Sequence, residues 1–164
     1  MVNLYYERTD SLEKWGLSDL KIKLLFLEGE FNPRDPDRAA ACELCVELLT
    51  RITTQYLPAD DGDEEAALQS VFVIFQLTRE ILRRHGSGEG EFAKLAIPVL
   101  NQIIRPFTVK WHRRSLTGAF KDREHCREFR GELSALQPRL RLYTRALADM
   151  ARVEDLTTLE ETGA

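Results

Sequence analysis

The sequence predicts an all-α protein: an antiparallel four-helix bundle with kinked helices and an N-terminal helical segment packed across it. Three observations carry this expectation. A run near the C-terminus places apolar residues at alternating spacings of three and four. Two earlier segments repeat apolar residues at helical spacing. No stretch of useful length alternates apolar and polar residues as a half-buried strand would. Four long helices with short links then favour antiparallel neighbours.

The C-terminal run is the clearest of the three. Over residues 122–152, Cys126, Phe129, Leu133, Leu136, Leu140, Tyr143, Leu147 and Met150 are spaced 3, 4, 3, 4, 3, 4, 3. This is an a/d seam of roughly three and a half heptads. Pro138 lies within it and should kink it, because proline removes one helical hydrogen bond.

Residues 36–57 read as a long helix with Asp35 as N-cap and Pro36 in the first turn. Cys45, Leu48, Leu49, Ile52 and Tyr56 follow helical spacing. "PADDGDEE" (58–65) is then an acidic loop that leads into the next helix, 64–85. There, Leu68, Val71, Phe72, Phe75 and Leu82 make one apolar row, and Ile74, Leu77 and Ile81 a second. A helix apolar on most sides belongs at the centre of the core. Acids open this helix and bases close it, in keeping with the helix dipole, and "GSGEG" (86–90) links it to the next.

That next segment, 91–120, is a helix bent at Pro98 and Pro106. Before all of these stands residues 1–35, a docking segment with a short helix at 18–28, capped by Ser18 or Asp19. Its Leu20, Ile22, Leu24, Leu25, Phe26 and Leu27 are too apolar to remain in water. Residues 36–152 form the bundle, and 153–164 form a flexible tail without an apolar stripe.

Composition narrows the class of protein. A chain of 164 residues suits one domain, and its formal net charge of −4 is unlike that of a dedicated nucleic-acid binder. No window approaches a membrane span, and the N-terminal residues lack the apolar core of a signal peptide. Three cysteines fit a reducing cytoplasm better than a disulfide framework. The expected location is cytoplasmic.

Charge is unevenly distributed. Residues 28–65 hold eleven acids and three bases, whereas residues 92–121 hold six bases and no acid. The simpler explanation sets the basic helix beside the acidic segment of the same chain. The alternative is assembly between chains, steered by charge.

The stretch "IRPFTVKWHRR" (104–114) concentrates the positive charge. On a helical wheel Ile97, Leu100, Ile104, Phe107 and Trp111 fall within an arc of roughly 80°. Both aromatics therefore belong to the apolar stripe. Arg105 and His112 flank it on one side, Lys110 and Arg114 on the other, and Arg113 lies opposite. Nucleic-acid platforms need exposed aromatics on which bases stack.

Catalytic constellations are absent from the sequence pattern. Cys42 and Cys45 form a C-x-x-C, and His125 with Cys126 is the only second pair that could complete a zinc site. Adjacent helical residues point about 100° apart, so both seldom ligate one ion. "DDGDEE" lacks the spacing of a calcium loop, and "GSGEG" lacks the lysine and preceding strand of a phosphate loop. No metal and no cofactor is expected.

Taken together, "WGLSDLKIKLLFLEGE", "ELLTRITTQYL", "FAKLAIPVLNQIIRPFTVKWHRR" and "EFRGELSALQPRLRLYTRALADMA" resemble segments of small bacterial helical proteins, similar to the accessory modules of bacterial conflict and antiphage gene clusters. The resemblance implies an interaction module and transfers no catalytic residue.

Three functional classes follow. The first is a non-enzymatic adaptor or regulatory subunit that binds another protein or itself. The second is a binding module for nucleic acid or a small anionic ligand. Its candidate residues are Arg51, Arg79 and Arg105, converging on one pocket, together with Lys110, Arg113 and Arg114. The third is an enzyme whose site forms in a bundle crevice, for which the sequence names no residue.

Overall fold

The computed structural model describes residues 31–58, 60–85, 88 and 90–157. The expected helix at 18–28, and the docking segment up to residue 30, lie outside the described residues. So does the tail beyond residue 157. The described chain is all-helical, with no strand among those residues. Its elements are α1 (Asp35–Leu49), α2 (Glu64–His85), α3 (Gly90–Val99), a π-helical turn (Leu100–Ile104), α4 (Arg105–Leu116), a 3-10 turn (Ala119–Lys121) and α5 (Arg123–Ala151).

α1 begins at a buried carboxylate. Arg34, not Asp35, is the N-cap, and Asp37 sits at the third helical position. The Arg34 N–H donates to Asp37 Oδ2 at 2.9 Å. The Phe92 N–H, in the first turn of α3, donates to Asp37 Oδ1 at 2.9 Å. One fully buried side chain thus satisfies the open ends of two helices. Gly88 approaches the neighbouring Pro36, and a Cβ there would meet the proline ring at 3.0 Å, so a larger residue would press on that ring.

α1 ends at Leu49, eight residues before the expected end at 57. The cause is the polar run that follows. Thr53 and Thr54 hydroxyls both donate to Leu48 O, at 2.8 and 2.9 Å, and the Gln55 amide donates to Leu49 O at 2.9 Å. These side chains take the carbonyls that further helical turns would use. α5 completes the turn: Gln137 Nε2 donates to Ile52 O and Gln55 O, and Arg141 Nη2 to Thr54 O. Tyr56, expected on the apolar face, is 71% exposed.

The heptad seam of α5 is buried from Phe129 to Met150, and Cys126 is half-buried. The helix runs through Pro138 without a break, with Leu136 and Leu140 buried on either side of it. α1 packs most extensively on α5 and also on α2 and α3, while α2 packs on α4. The core is therefore centred on α5. This corrects the expectation that α2 is central. α2 buries one face, from Ala67 to Ile81, and leaves Phe72, Gln76 and Arg79 exposed.

The segment expected as one bent helix is three pieces. Its buried residues include Leu95, Val99, Ile103, Phe107 and Trp111, a strict period of four. An ideal helix turns about 100° per residue, so that row drifts about 40° per step and roughly 160° in all. The π turn accommodates an extra residue and removes much of the drift. There the Arg105 N–H bonds Leu100 O, five residues back. Ile97, placed by the ideal wheel with the apolar arc, is instead 45% exposed. It precedes the π turn and is rotated relative to residues after it.

Gly118 closes α4 with φ of +79°, a conformation other residues adopt only with strain. Asp122 then caps α5 by accepting from His125 N at 3.1 Å. Beyond α5, residues 153–157, expected to start a free tail, turn back on the body. Thr157 is fully buried, and Arg145 Nε donates to its hydroxyl at 2.9 Å.

Two stability outcomes follow. Asp37→Ala should cost about 1–4 kcal/mol, as the sum of two lost caps at about 0.5–2 each. Urea denaturation measures this, and a loss below about 0.5 kcal/mol would show that the shared carboxylate is dispensable. Tyr143 is fully buried and its hydroxyl has no partner among the described residues, so burial pushes its ionisation up. Tyr143→Phe should leave stability unchanged or raise it by about 1 kcal/mol. A marked loss in the same assay would reveal a partner for the phenol.

Candidate functional site

Four of the six candidate residues lie together. Arg105, Lys110, Arg113 and Arg114 line a shallow groove along α4, of about 730 Å³, with Asn101, Pro106, Val109 and Thr117. Arg51 and Arg79 line neither this groove nor the smaller one beside it. Arg51 is held by Glu47, one turn back, with Nε–Oε2 of 2.9 Å and Nη2–Oε2 of 2.6 Å. Arg79 is exposed on α2, its Nε donating to Phe75 O at 3.1 Å. Arg105 reaches the same residue from α4, its guanidinium 5.1 Å from the Phe75 ring.

The inward face of α4 orients the groove. Phe107 and Trp111 pack on Phe129 of α5 with ring centroids at 5.5 and 5.1 Å, and Phe120 stacks on Trp111 at 5.9 Å. Both aromatics of the basic stretch are therefore core, as the wheel implies. Residues three or four apart share the outward face: Arg105, Val109, Arg113 and Leu116. Val109 is 59% and Leu116 76% exposed.

Lys110 and Arg114 occupy the flank towards α5. Lys110 Nζ donates to Glu128 at 3.0 Å and also to Glu132. Arg114 Nη1 donates to Glu128 at 2.7 Å. Both cations lie over the Trp111 ring, at 5.2 and 5.1 Å, and the indole N–H donates to Glu132 Oε2 at 2.9 Å. Hydrogen bonds donated to Glu132 and then to Glu128 hold the Lys110 ammonium above its ordinary range. Those from Lys110 and then Arg114 hold the Glu128 carboxyl below its own.

Two acids thus balance two bases, which leaves Arg105 and Arg113 as the charges of the groove without an acid among the described residues. Arg105 is fixed by a neutral group, Asn101 Oδ1, at 3.1 and 2.9 Å. Arg113 is exposed and has no partner among the described residues. A second cleft, of about 280 Å³, shares Pro106 and Lys110 with the first. Ile103, Phe107, Leu136 and Arg139 also line it. Glu132 and Ala135 complete the lining of the second cleft, so its rim carries both signs of charge, whereas the first groove is lined by cations and neutral residues.

This corrects the expectation that the acidic 28–65 segment neutralises the basic helix. Among the described residues the neutralising acids are Glu128 and Glu132 of α5. The acidic segment pairs elsewhere: Glu64 with Arg130, and Glu43 with Arg84. Sequence reasoning missed Glu128 and Glu132. Their spacing of four matches that of Lys110 and Arg114, the one signal that could have linked them.

The cysteines serve packing. Cys45 is buried, its thiol pushed up to about 11 by burial, and it donates to Thr144 O at 3.8 Å. Cys126 donates to Phe120 O at 3.3 Å, and His125 faces Asp122 at 2.9 Å. Among the described residues no three histidine, cysteine or carboxylate side chains could hold a metal ion together. Comparisons with known protein families, with curated proteins and with solved structures find no match to this chain.

Glu132→Ala should cost about 1–3 kcal/mol, because the buried indole N–H loses its acceptor. Glu132→Gln keeps an acceptor and should cost less. Equal denaturation midpoints would remove the indole bond as the cause. The sign of the pH dependence follows from the two shifts. The Glu128 contribution is present above the ordinary glutamate range and is lost as pH falls through its lowered value. The Lys110 contribution is present below the ordinary lysine range and is lost as pH rises through its raised value. The stability difference between Lys110→Met and the unsubstituted protein should therefore be flat across neutral pH and shrink at both extremes.

Proposed function

We propose that this chain is a non-enzymatic helical interaction module, an adaptor or regulatory subunit that docks an acidic, partly apolar segment of a protein on the outward face of α4. The observation that carries the reading is the alternation Arg105, Val109, Arg113, Leu116: two cations without an acid among the described residues, interleaved with two exposed apolar side chains. Water is a poor environment for that face, and an amphipathic acidic segment is a better one. The same observation weighs against nucleic acid. Phe107 and Trp111 face inward and offer no ring to a base, and the two groove cations without an acid among the described residues neutralise few phosphates.

An antiparallel bundle belongs to this reading. Short links between α2 and α3 and between α4 and α5 support it, since short links favour antiparallel neighbours. A cytoplasmic role in a bacterial conflict system belongs to it as well, through the sequence resemblance noted above. Among the described residues no helix is long and apolar enough to cross a membrane.

The test places a photo-crosslinking amino acid at Val109 in the cell of origin. Val46, which is 55% exposed on α1, serves as the control position. Irradiation should give protein adducts of discrete mass from position 109 and none from 46, and Arg105→Glu with Arg113→Glu should abolish them. Adducts to nucleic acid, or none specific to position 109, would overturn the reading.

A further inference from the structure

We infer that the groove of α4 receives the acidic 60–65 loop of a second copy of this chain, in a head-to-tail contact. The inference rests on the proposed docking role of α4 and names its partner.

The loop is a prepared acidic knuckle. Arg130 of α5 holds it from beneath, donating to Glu64 Oε1, to Pro58 O and to Gly62 O. Asp63 Oδ1 caps α2 through the Ala66 N–H at 3.0 Å. With Glu64 and Asp63 so engaged, Asp60, Asp61 and Glu65 remain exposed and free of any cation among the described residues. Exposed Tyr56 adds an apolar side chain nearby. The groove offers the complement, with Arg105 and Arg113 about 12 Å apart at 1.5 Å per residue and Val109 between them.

Geometry prevents one chain from satisfying both surfaces. At about 100° per residue, Glu128 and Glu132 leave α5 on one flank and Arg130 leaves it roughly 180° away, with buried Phe129 and Leu133 between. The first pair marks the groove side of α5 and Arg130 marks the loop side. Complementary patches on opposite flanks of one helix produce a heterologous contact, which closes into a ring or extends as a chain.

Light scattering on the full chain, at about 50 mM and about 500 mM salt, tests this directly, because exposed ion pairs are screened over that range. Mass should rise with protein concentration at low salt and return to monomer at high salt. Arg105→Glu with Arg113→Glu, and separately Asp60→Lys with Asp61→Lys, should each weaken association at least about tenfold. Mixed in equal amounts, the two variants should associate again, since the intact loop of one meets the intact groove of the other and the two reversed patches are themselves complementary. A monomer at every concentration in low salt would overturn the inference. So would association that both variants retain. The salt series on the unsubstituted chain decides the matter even if a variant misfolds. A monomer whose position 109 still crosslinks to a different protein sinks the second-copy contact and leaves the docking role standing. A monomer without adducts sinks both.

Discussion

The Asp37 carboxylate is the point from which the described structure is set out. It binds the first N–H groups of α1 and of α3, and the neighbouring Pro36 approaches Gly88. Helix dipoles place partial positive charge at both of these N-termini, so a single anion stabilises two helices that meet there. α1 leads from this point onto α5, the main element of the core. α3 leads through the π turn into α4, which carries the candidate surface. A change at Asp37 would therefore alter the relation between the core and the groove while touching neither.

α4 presents its charges through a division of labour. Its apolar residues recur every fourth position, and the π turn keeps that row against α5. The indole of Trp111 is anchored by Glu132, and the same acid, with Glu128, takes up Lys110 and Arg114. The cations left without an acid among the described residues are a narrower set than the sequence displays: Arg105 and Arg113, with Val109 and Leu116 between and beyond. A stretch with four formal positive charges behaves as a surface with two.

How much of this was legible depended on whether the cause was local. The seam from Phe129 to Met150 is a property of one helix, and its spacing alone placed every one of its members in the core. The inward turn of Phe107 and Trp111 was legible for the same reason. The end of α1 was not, because Gln137 and Arg141 of α5 hold the turn that stops it. Ile97 was misplaced because a wheel assumes one uninterrupted register. Of the candidate residues, Arg105, Lys110, Arg113 and Arg114 were grouped by proximity in sequence and share a groove. Arg51 and Arg79 depended on long-range convergence, and local partners hold them instead. The neutralising role of Glu128 and Glu132 required the register between two helices, which no single segment contains.

Cys45 gives the molecule a clock of its own. Its thiol is buried between α1 and α5 and bonded to the Thr144 carbonyl, while Cys42 and Cys126 are half-buried. Burial keeps the Cys45 thiol protonated and therefore inert towards electrophiles. It can react only when α1 lifts from α5. The ratio of its alkylation rate to that of an open thiol is then the fraction of time the core interface stands apart, and measures the free energy of that opening in the undenatured protein.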